Sequence, residues 1–248
     1  GKDILGNYDV IYFAGEWVND HAAKRLDAWV KNGGVLYACA GLGRLNQFNQ
    51  PETSLLKLLG LKSVTIQKNA VNVRPILELP LLKPIDTITL DGVQIPAVGM
   101  KQVLTPADAK VIGTWSDGSA AVTVRDYGKG KAIAVGTLPG HGYIHSAAKI
   151  TPWARGGRRM VYALMTSDAA KNKLINLGVG AKSDLARDVV ASVPGVEGML
   201  IDNEKGTLVT LVNWNTDPVK GVTVQVRVPF KPKSARTVEG QKNVDVTY

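Results

Sequence analysis

The sequence predicts an α/β domain with a mostly parallel sheet and helices on both faces, followed by a small antiparallel β-sandwich. Three observations support this fold class. Residues 8–41 contain two short apolar strands around an amphipathic helix. A further apolar strand, AIAVGT (132–137), follows the glycine turn GKGK. After residue 180 the pattern changes to alternating strands separated by turns, which is typical of a sandwich.

The strand–helix–strand unit at the start is predicted from three successive segments. YDVIYFAG (8–15) is a β-branched and aromatic run that ends at a glycine, which favours a buried parallel strand. A helix follows, because apolar residues recur at helical spacing between a polar N-cap and a glycine after the last turn. The apolar residues are Ala22, Leu26, Trp29 and Val30, the cap is Asn19 or Asp20, and the glycine is Gly33. VLYACAG (35–41) predicts the second strand, and the crossover should be right-handed.

Further elements follow along the chain. A second helix is predicted at 51–59, where Pro51 suits the first turn and leucines supply the apolar face. Between 61 and 124, three segments with β-branched residues between turn residues predict strands. These segments are SVTIQ, TITLDGV and AVTVRDY. A helix is predicted over 158–177. Its apolar residues are Met160, Leu164, Leu174 and Leu177.

The last part of the chain has the alternating pattern of an antiparallel sandwich. Its predicted strands are VVASVPGV, EGMLIDN, GTLVTLVNW, VTVQVRV and ARTVEG. Turn residues at 203–206 and 217–218 separate them. We therefore expect two domains, an α/β domain over 1–180 and a C-terminal β-sandwich over 181–248, with the boundary near 178–186.

Composition excludes several classes of protein. Of 248 residues, 45% are apolar and 21% charged, and no apolar run approaches the roughly 20 residues that span a bilayer, so we expect a globular protein without a membrane span. One cysteine and three histidines predict neither a disulfide nor a metal site, and we expect no cofactor. The net charge of +9 is scattered, which argues against nucleic-acid binding. The densest basic group, WARGGRR (153–159), indicates a local anion site instead.

Several of these segments together resemble a known family. A helix ends in a Gly-Gly pair before a strand, a leucine-rich helix ends in Gly-Leu, and the segment 121–123 (AVT) is followed by YGKGK (127–131). Over about 8–140 this pattern resembles the class I glutamine-amidotransferase-like domain of the β-galactosidase trimerisation type. The tail from about 186, which includes LVTLVNWN, is similar to the small sandwich domain that follows it in those glycosidases.

The resemblance implies a fold and a set of partners. It implies a flavodoxin-like sheet and a homo-oligomer, or association with an upstream domain of the same polypeptide. Carbohydrate is the expected ligand class. An exported location, periplasmic or extracellular, is also implied, although GKDILGNYDV at the start is not a signal peptide.

Two departures from the family matter. Those glycosidases carry catalysis on an upstream TIM barrel, and this sequence lacks the eightfold alternation of a barrel. The family's domain also begins with a strand and a helix, whereas only seven residues precede Tyr8. We expect either a fragment of a longer protein or a fold that has lost its first unit.

Cys39 is the first candidate catalytic residue. Active class I amidotransferases place their nucleophile in a Gly-x-Cys-x-Gly turn, and here Gly41 matches the second glycine while Tyr37 occupies the first. The family's His-x-Glu partner has no counterpart. We therefore expect Cys39 to be a buried, unreactive side chain. The alternative is a hydrolase or amidotransferase-like enzyme that uses Cys39 with His141 or His145.

The segment 139–157 is the candidate ligand-binding loop. It follows a predicted parallel strand, and loops at that end of a sheet line ligand crevices. Its candidate residues are His141, Tyr143, His145, Trp153 and Arg155. This mixture could stack on a sugar ring and bind its hydroxyls; the alternative is a loop whose aromatic residues pack on the sheet. The two histidines could share a metal only on a helix, and Gly142 argues against a helix.

Glu16 is the remaining catalytic candidate. Glycoside hydrolysis needs two carboxyl groups roughly 5–10 Å apart. Asp117 or Asp126 could be the partner of Glu16, but the alternative is a solvated loop carboxylate. The sequence therefore favours a non-catalytic accessory region of a carbohydrate-active protein.

Overall fold

The computed structural model describes most of the chain, namely residues 4–69, 83–145, 148–154, 157–162, 170–182, 187–204, 206–215 and 217–247. The chain divides into two compact units, Gly1–Leu185 and Ala186–Tyr248. In the described residues, no helix combines the length and the apolar character needed to cross a bilayer.

The first unit contains eleven described strands and four short or medium helices. The strands are β1 (Val10–Ala14), β2 (Val35–Cys39), β3 (Leu61–Asn69), β4 (Asp86–Leu90), β5 (Val93–Ala97), β6 (Met100–Pro106), β7 (Lys110–Thr114), β8 (Ala120–Tyr127), β9 (Gly130–Val135), β10 (Ala148–Ala154) and β11 (Gly157–Tyr162). The helices are α1 (Asp20–Lys31), α2 (Ser54–Leu58), α3 (Pro139–His145) and α4 (Leu177–Gly180), with a 3₁₀ turn at Leu5–Asn7 and a π-helical turn at Lys171–Ile175.

Seven strands form one mixed sheet in the order β1-β2-β9-β8-β7-β4-β5. The pairs β1–β2 and β2–β9 are parallel, and the other four pairs are antiparallel. The prediction of a mostly parallel sheet was therefore wrong. The reason is local, because tight turns such as Asp91-Gly92 and Gly128-Lys129 can join only antiparallel neighbours, whereas a parallel pair needs a long crossover.

Helices are few in this unit, and α1 is the single described helix longer than seven residues. The flavodoxin-like arrangement, with helices layered on both faces, is not what these elements form. The helix predicted over 158–177 was also wrong in its first part, because the backbone at Gly157–Tyr162 is strand β11, paired with β10. Periodicity alone does not separate a short strand from a helix, so pairing decides.

The core lies on both faces of the parallel strands. In β2, Leu36 and Ala38 pack into the cluster that includes Val30 of α1, whereas Tyr37 and Cys39 lie in a second cluster on the other face. All five residues of β2 are buried, which explains why this strand is a continuous apolar run.

Two further antiparallel pairs of the first unit, β3–β6 and β10–β11, are separate from this sheet. Strand β6 is tied to the end of β9, because the Gln102 backbone N–H donates to the Gly136 carbonyl oxygen at 2.8 Å. The Thr137 hydroxyl donates to the Met100 carbonyl oxygen at 2.8 Å. These bonds bring β6 to the edge where the parallel strands end.

The second unit consists of short antiparallel pairs. Its strands are β12 (Val189–Ala191), β13 (Val196–Asn203), β14 (Gly206–Asn213), β15 (Val224–Val226), β16 (Ala235–Arg236) and β17 (Asn243–Val244). The pairs are β12–β15, β13–β14 and β16–β17. Gly198 lies so close to Val189 that a Cβ would meet the valine side chain at 2.3 Å, which packs β13 tightly on β12. The small all-β character was predicted.

Candidate functional site at the carboxyl edge of the parallel strands

The loops that follow β1 and β2 are joined at one edge of the sheet. Parallel strands end at the same edge, and there the Gly43 N–H donates to the Gly15 carbonyl at 3.0 Å. The Leu45 N–H donates to the Glu16 carbonyl, and the Val18 N–H donates to the Leu45 carbonyl, each at 2.9 Å. The two loops therefore form one fixed surface.

Cys39 is the last residue of β2 and is only 7% exposed. Burial raises the pKa of its thiol to about 11, which is the opposite of the lowering that activates a nucleophilic cysteine. The thiol is therefore protonated at neutral pH. This supports the prediction that Cys39 is unreactive.

A strained turn does follow Cys39, but it starts one residue later. Ala40, Gly41 and Leu42 have φ angles of 56°, 111° and 58°, in the left-handed region that ordinary residues avoid. In a nucleophile elbow the reactive side chain sits on the strained turn itself. Here the residue that enters the turn is Ala40, whose methyl group has no nucleophilic atom.

The turn is held in place from below. The Gly41 N–H donates to Oε1 of Gln102 at 2.9 Å, and the Gln102 side chain is fully buried. A Cβ on Gly41 would lie 2.4 Å from Cγ of Glu16, so only glycine fits between the two loops. The contacts give the turn a packing role.

The segment 139–157 was predicted to be a loop, but its described part contains regular secondary structure. Residues Pro139–His145 form helix α3, and strand β10 follows. Gly142 lies inside this helix. A Cβ at this position would lie 2.1 Å from the Pro96 carbonyl oxygen, so the absence of a side chain lets α3 approach β5 closely. Packing against β5 outweighs the low helix propensity of glycine.

The five candidate ligand-binding residues of this segment are described to different extents. Nδ1 of His141 is buried without a hydrogen-bond partner, and the Tyr143 ring lies 5.8 Å from Nζ of the buried Lys171. His145 is the last residue of α3. The side chain of Trp153 and the whole of Arg155 lie outside the described residues.

His141 and His145 lie four residues apart on one helix and so share a face. A metal site would need a third ligand, and within the described ranges no group of three His, Cys, Asp or Glu side chains is placed to hold an ion. Sugar binding by this segment stays a prediction.

Glu16 is paired with a cation. Arg44 Nη2 donates to its carboxylate at 2.5 Å, and the Glu16 side chain is only 16% exposed. Asp126 pairs with Lys131 beside the start of β2, at the opposite edge of the sheet. Asp117 lies at the same edge as Glu16 but three strands away, about 14 Å by strand spacing. Neither of the two predicted partners, Asp117 or Asp126, is thus placed at the separation from Glu16 that glycoside hydrolysis requires.

Comparison with known proteins decides the family. The sequence model of the β-galactosidase trimerisation domain family matches residues 5–151, which is more than half of the chain. The chain belongs to this family. A search of curated proteins finds no match.

The trimerisation-domain fold recurs in solved β-galactosidases. A GH42 β-galactosidase from G. stearothermophilus is 15% identical over 97% of this chain and 30% of its own, with a TM-score of 0.60. A cold-adapted β-galactosidase from Rahnella sp. R3 is 18% identical over 91% of this chain and 33% of its own, with a TM-score of 0.58. A β-galactosidase from Bacillus circulans sp. alkalophilus is 13% identical over 86% of this chain and 28% of its own, with a TM-score of 0.56.

These identities show a shared fold alone, and the chain spans about a third of the length of these enzymes. The predicted resemblance to the β-galactosidase trimerisation domain is confirmed. Its finer classification as class I glutamine-amidotransferase-like stays a prediction.

One residue of this edge was missed from the sequence. Phe48 of the trimerisation domain is 69% exposed on the loop after β2, beside Asn49, which hydrogen-bonds Trp17. The available signal was an aromatic residue alone in a run of carboxamides, NQFNQ (46–50).

Proposed function

We propose that this trimerisation domain is a non-catalytic oligomerisation unit of a carbohydrate-active protein. The family match over residues 5–151 carries the proposal, because the family is described by assembly rather than by chemistry. Its partners are further copies of the chain or an adjoining domain of the same polypeptide.

The geometry of the carboxyl edge supports a role without catalysis. Burial raises the pKa of the Cys39 thiol to about 11, and Ala40 occupies the strained position where a nucleophile would sit. Arg44 neutralises Glu16. These three features support a role in packing and ion pairing rather than in hydrolysis.

Sedimentation equilibrium of the isolated chain tests the proposal. We expect the mass of three chains at high concentration, with dissociation on dilution, because association depends on protein concentration. A mass of one chain over the whole range from about 1 μM to about 1 mM, which spans weak and strong complexes, would contradict self-assembly.

Two finer expectations remain proposals. The enzyme alternative needs a Cys39 thiolate beside His141 or His145, and burial of the thiol opposes its ionisation. Carbohydrate binding through the segment 139–157 depends on Trp153 above all, because a large aromatic face stacks best on a sugar ring. Calorimetric titration of the Trp153→Ala variant tests this segment, because full retention of sugar binding would remove the segment from the proposal.

A further inference from the structure

A cavity of about 410 Å³ lies at the edge of the first unit where the parallel strands begin. Its wall comes from the segment before β1, from the last two turns of α1 and from the residue Lys182, which follows α4. We call it the basic cavity. Its volume is in the range of small-ligand pockets, about 300–1,000 Å³. Its charged and aromatic lining side chains are Tyr8, Asp9, Arg25, Trp29 and Lys182.

The wall of the basic cavity is fixed by contacts within the first unit. The Trp29 indole N–H donates to the Tyr8 carbonyl oxygen at 3.2 Å, which ties α1 to the segment before β1. A Cβ on Gly34 would lie 2.3 Å from the Trp29 ring, so the ring lies directly on the glycine backbone. The Val35 N–H donates to the Asp9 carbonyl oxygen at 2.9 Å. A wall that is already formed loses little conformational entropy when a ligand binds.

The ammonium group of Lys182 lacks a hydrogen-bonded anion. Its nearest described carboxylate is that of Asp9 at 3.9 Å, which is longer than a hydrogen bond. Among the residues that the structure describes, the Lys182 side chain has no other ion-pair partner, yet it is only 27% exposed. Partial removal of a cation from water is unfavourable when no hydrogen bond replaces the lost hydration. An oxyanion in the cavity would supply that bond.

The lining carries more positive than negative charge. Lys182 and Arg25 supply two cations, and Asp9 supplies the one carboxylate among the lining residues. The end of α1 also lies at the wall, and unpaired carbonyl groups there would attract a cation. These carbonyl groups are already paired with the N–H groups that follow the helix. The carbonyls of Ala28, Trp29 and Val30 accept the N–H groups of Asn32, Gly34 and Gly33, respectively. The balance therefore favours an anionic ligand.

The shape and polarity of the basic cavity favour a small molecule over a second copy of the chain. Charged residues are depleted in the core of a protein–protein interface, whereas here they form the wall itself. A ligand pocket is largely filled by its ligand. One Asp or Glu side chain from another copy is too small to fill a volume of about 410 Å³.

We infer that the basic cavity binds a small organic anion, whose carboxylate or phosphate oxygens accept hydrogen bonds from Lys182 and Arg25. The rest of the ligand lies against the aromatic side chains of Trp29 and Tyr8. Such a ligand links the segment before β1 to the segment after α4 and stabilises the first unit, because it binds the folded chain. This binding goes beyond the proposed function and does not require assembly.

Calorimetry and thermal unfolding of the full chain test the inference at constant ionic strength. The probes are galacturonate and galactose 6-phosphate, which carry the two kinds of anionic group on the same sugar body, and galactose is the neutral comparison. We expect at least one of the two organic anions to bind with a dissociation constant below about 1 mM and to raise the unfolding temperature. Galactose should do neither at the same concentration.

Inorganic phosphate separates an organic ligand from a bare ion. It should bind at least about tenfold more weakly than the better organic anion, because it is too small to reach the aromatic part of the wall. Equal binding would show that the aromatic side chains contribute nothing and would contradict an organic ligand.

Substitutions on the wall test the sign of the ligand's charge. Lys182→Met should weaken binding about tenfold or more, because it removes a charge-assisted hydrogen bond. Asp9→Asn should strengthen binding, because it removes the one carboxylate from the lining. A cationic ligand would give the opposite order. Lys24→Met is the matched control, since it removes the same charge from an exposed position of α1 outside the cavity, and it should leave binding unchanged.

Three results would overturn the inference. They are no binding of either organic anion by the native chain, equal binding by the native chain and Lys182→Met, and weaker binding by Asp9→Asn. Thermal unfolding of each variant without ligand checks that the fold is intact. We expect an intact fold, because the two side chains are too far apart to share a hydrogen bond.

Sedimentation equilibrium of the same samples separates this inference from the proposed function. Binding by a chain that stays monomeric supports the cavity and contradicts the oligomerisation proposal, whereas a trimer that binds neither organic anion contradicts the cavity alone. A Lys182→Met variant that loses the trimer, from a native chain that binds no organic anion, identifies the cavity as a contact between copies and overturns the inference.

Discussion

Lys101 connects three elements of the first unit through its ammonium group. It lies on β6, contacts the Asp86 carboxylate on β4, and bonds Asp117 at 3.0 Å in the turn before β8. The side chains of Lys101 and Asp86 are 11% and 8% exposed, and the Trp115 ring lies 5.2 Å from the Lys101 nitrogen. A buried charge that loses its partner is costly, so this cluster is a sensitive point of the fold.

The three side chains of this cluster stabilise one another in their ionised forms. Burial opposes ionisation of Asp86, but hydrogen bonds from Lys101 and Ser116 outweigh it and lower the pKa of Asp86. Hydrogen bonds from Ser119, and then from Lys101, lower the pKa of Asp117 to about 2. Burial likewise opposes the charge on Lys101, yet its bonds to Asp86 and Asp117 raise the pKa of Lys101.

The Lys101→Met variant should lower the free energy of unfolding by about 2–4 kcal/mol at neutral pH, because it leaves Asp86 buried without a cation. The lowered carboxyl pKa values stabilise the native chain above about pH 4, and this stabilisation is lost as the pH falls through them toward 2. In the variant, acid protonates Asp86 and removes the unpaired charge. The difference in the free energy of unfolding between the native chain and the Lys101→Met variant should therefore become smaller as the pH falls from 6 to 2.

Urea unfolding at several pH values measures this difference. Lys131→Met is the control, because its partner Asp126 has a side chain that is 84% exposed and such pairs contribute little. A Lys101→Met difference that stays constant down to pH 2 would show that packing, rather than charge, is the contribution of Lys101.

At the level of secondary-structure elements, the sequence predicted the start of the fold well. Strands β1 and β2 and helix α1 lie where the spacing of apolar residues and the helix-capping residues predict them. The Asn19 side chain accepts the His21 backbone N–H, as an N-cap residue does. The direction of later strands was mispredicted, although Asp91-Gly92 is a strong hairpin signal. Turn chemistry, rather than strand composition, determined whether neighbours are parallel.

Helix α3 shows how a contact distant in sequence can override a local propensity. Glycine weakens helices, and Gly142 therefore argued for a loop. The close approach of α3 to the Pro96 carbonyl, which the sequence does not reveal, makes glycine the residue that fits. Sequence reasoning misjudged this element because the deciding atom lies 46 positions away.

Two glycines of α3 provide a matched pair. We expect Gly142→Ala to lower the free energy of unfolding by about 1–3 kcal/mol, because its Cβ would lie 2.1 Å from the Pro96 carbonyl oxygen. Gly140→Ala has no atom within 4 Å of the new Cβ, so it should be neutral or stabilising by up to about 1 kcal/mol. Thermal unfolding measures both. Equal shifts in the two variants would mean that α3 does not pack closely against β5.

At the level of the whole molecule, sequence motifs gave the family more reliably than the chemistry. The segments 121–123 and 127–131 lie on β8 and in the turn to β9, inside the matched range, and they identified the trimerisation domain. The candidate site was harder, because reactivity depends on burial and on backbone angles. Ala40, rather than Cys39, enters the strained turn because strand β2 ends at Cys39. A sequence pattern predicts the end of a strand only to within a few residues.

The net charge adds a condition to the proposed assembly. Each chain carries +9, so a trimer brings three cationic chains together, and their repulsion opposes association. Raising the salt concentration from about 0.01 M to about 0.15 M shortens the screening length from about 30 Å to about 8 Å. If burial of apolar surface drives assembly, the trimer should form at lower protein concentration in the higher salt.

Sedimentation equilibrium at the two salt concentrations measures this shift. Sodium chloride and potassium acetate at equal ionic strength should give the same result, because screening depends on ionic strength and not on a bound ion. A trimer that dissociates as salt rises would show instead that ion pairs between copies dominate the interface. A contact between copies that salt weakens must join opposite charges. Exposed acidic side chains would then be the residues to substitute next.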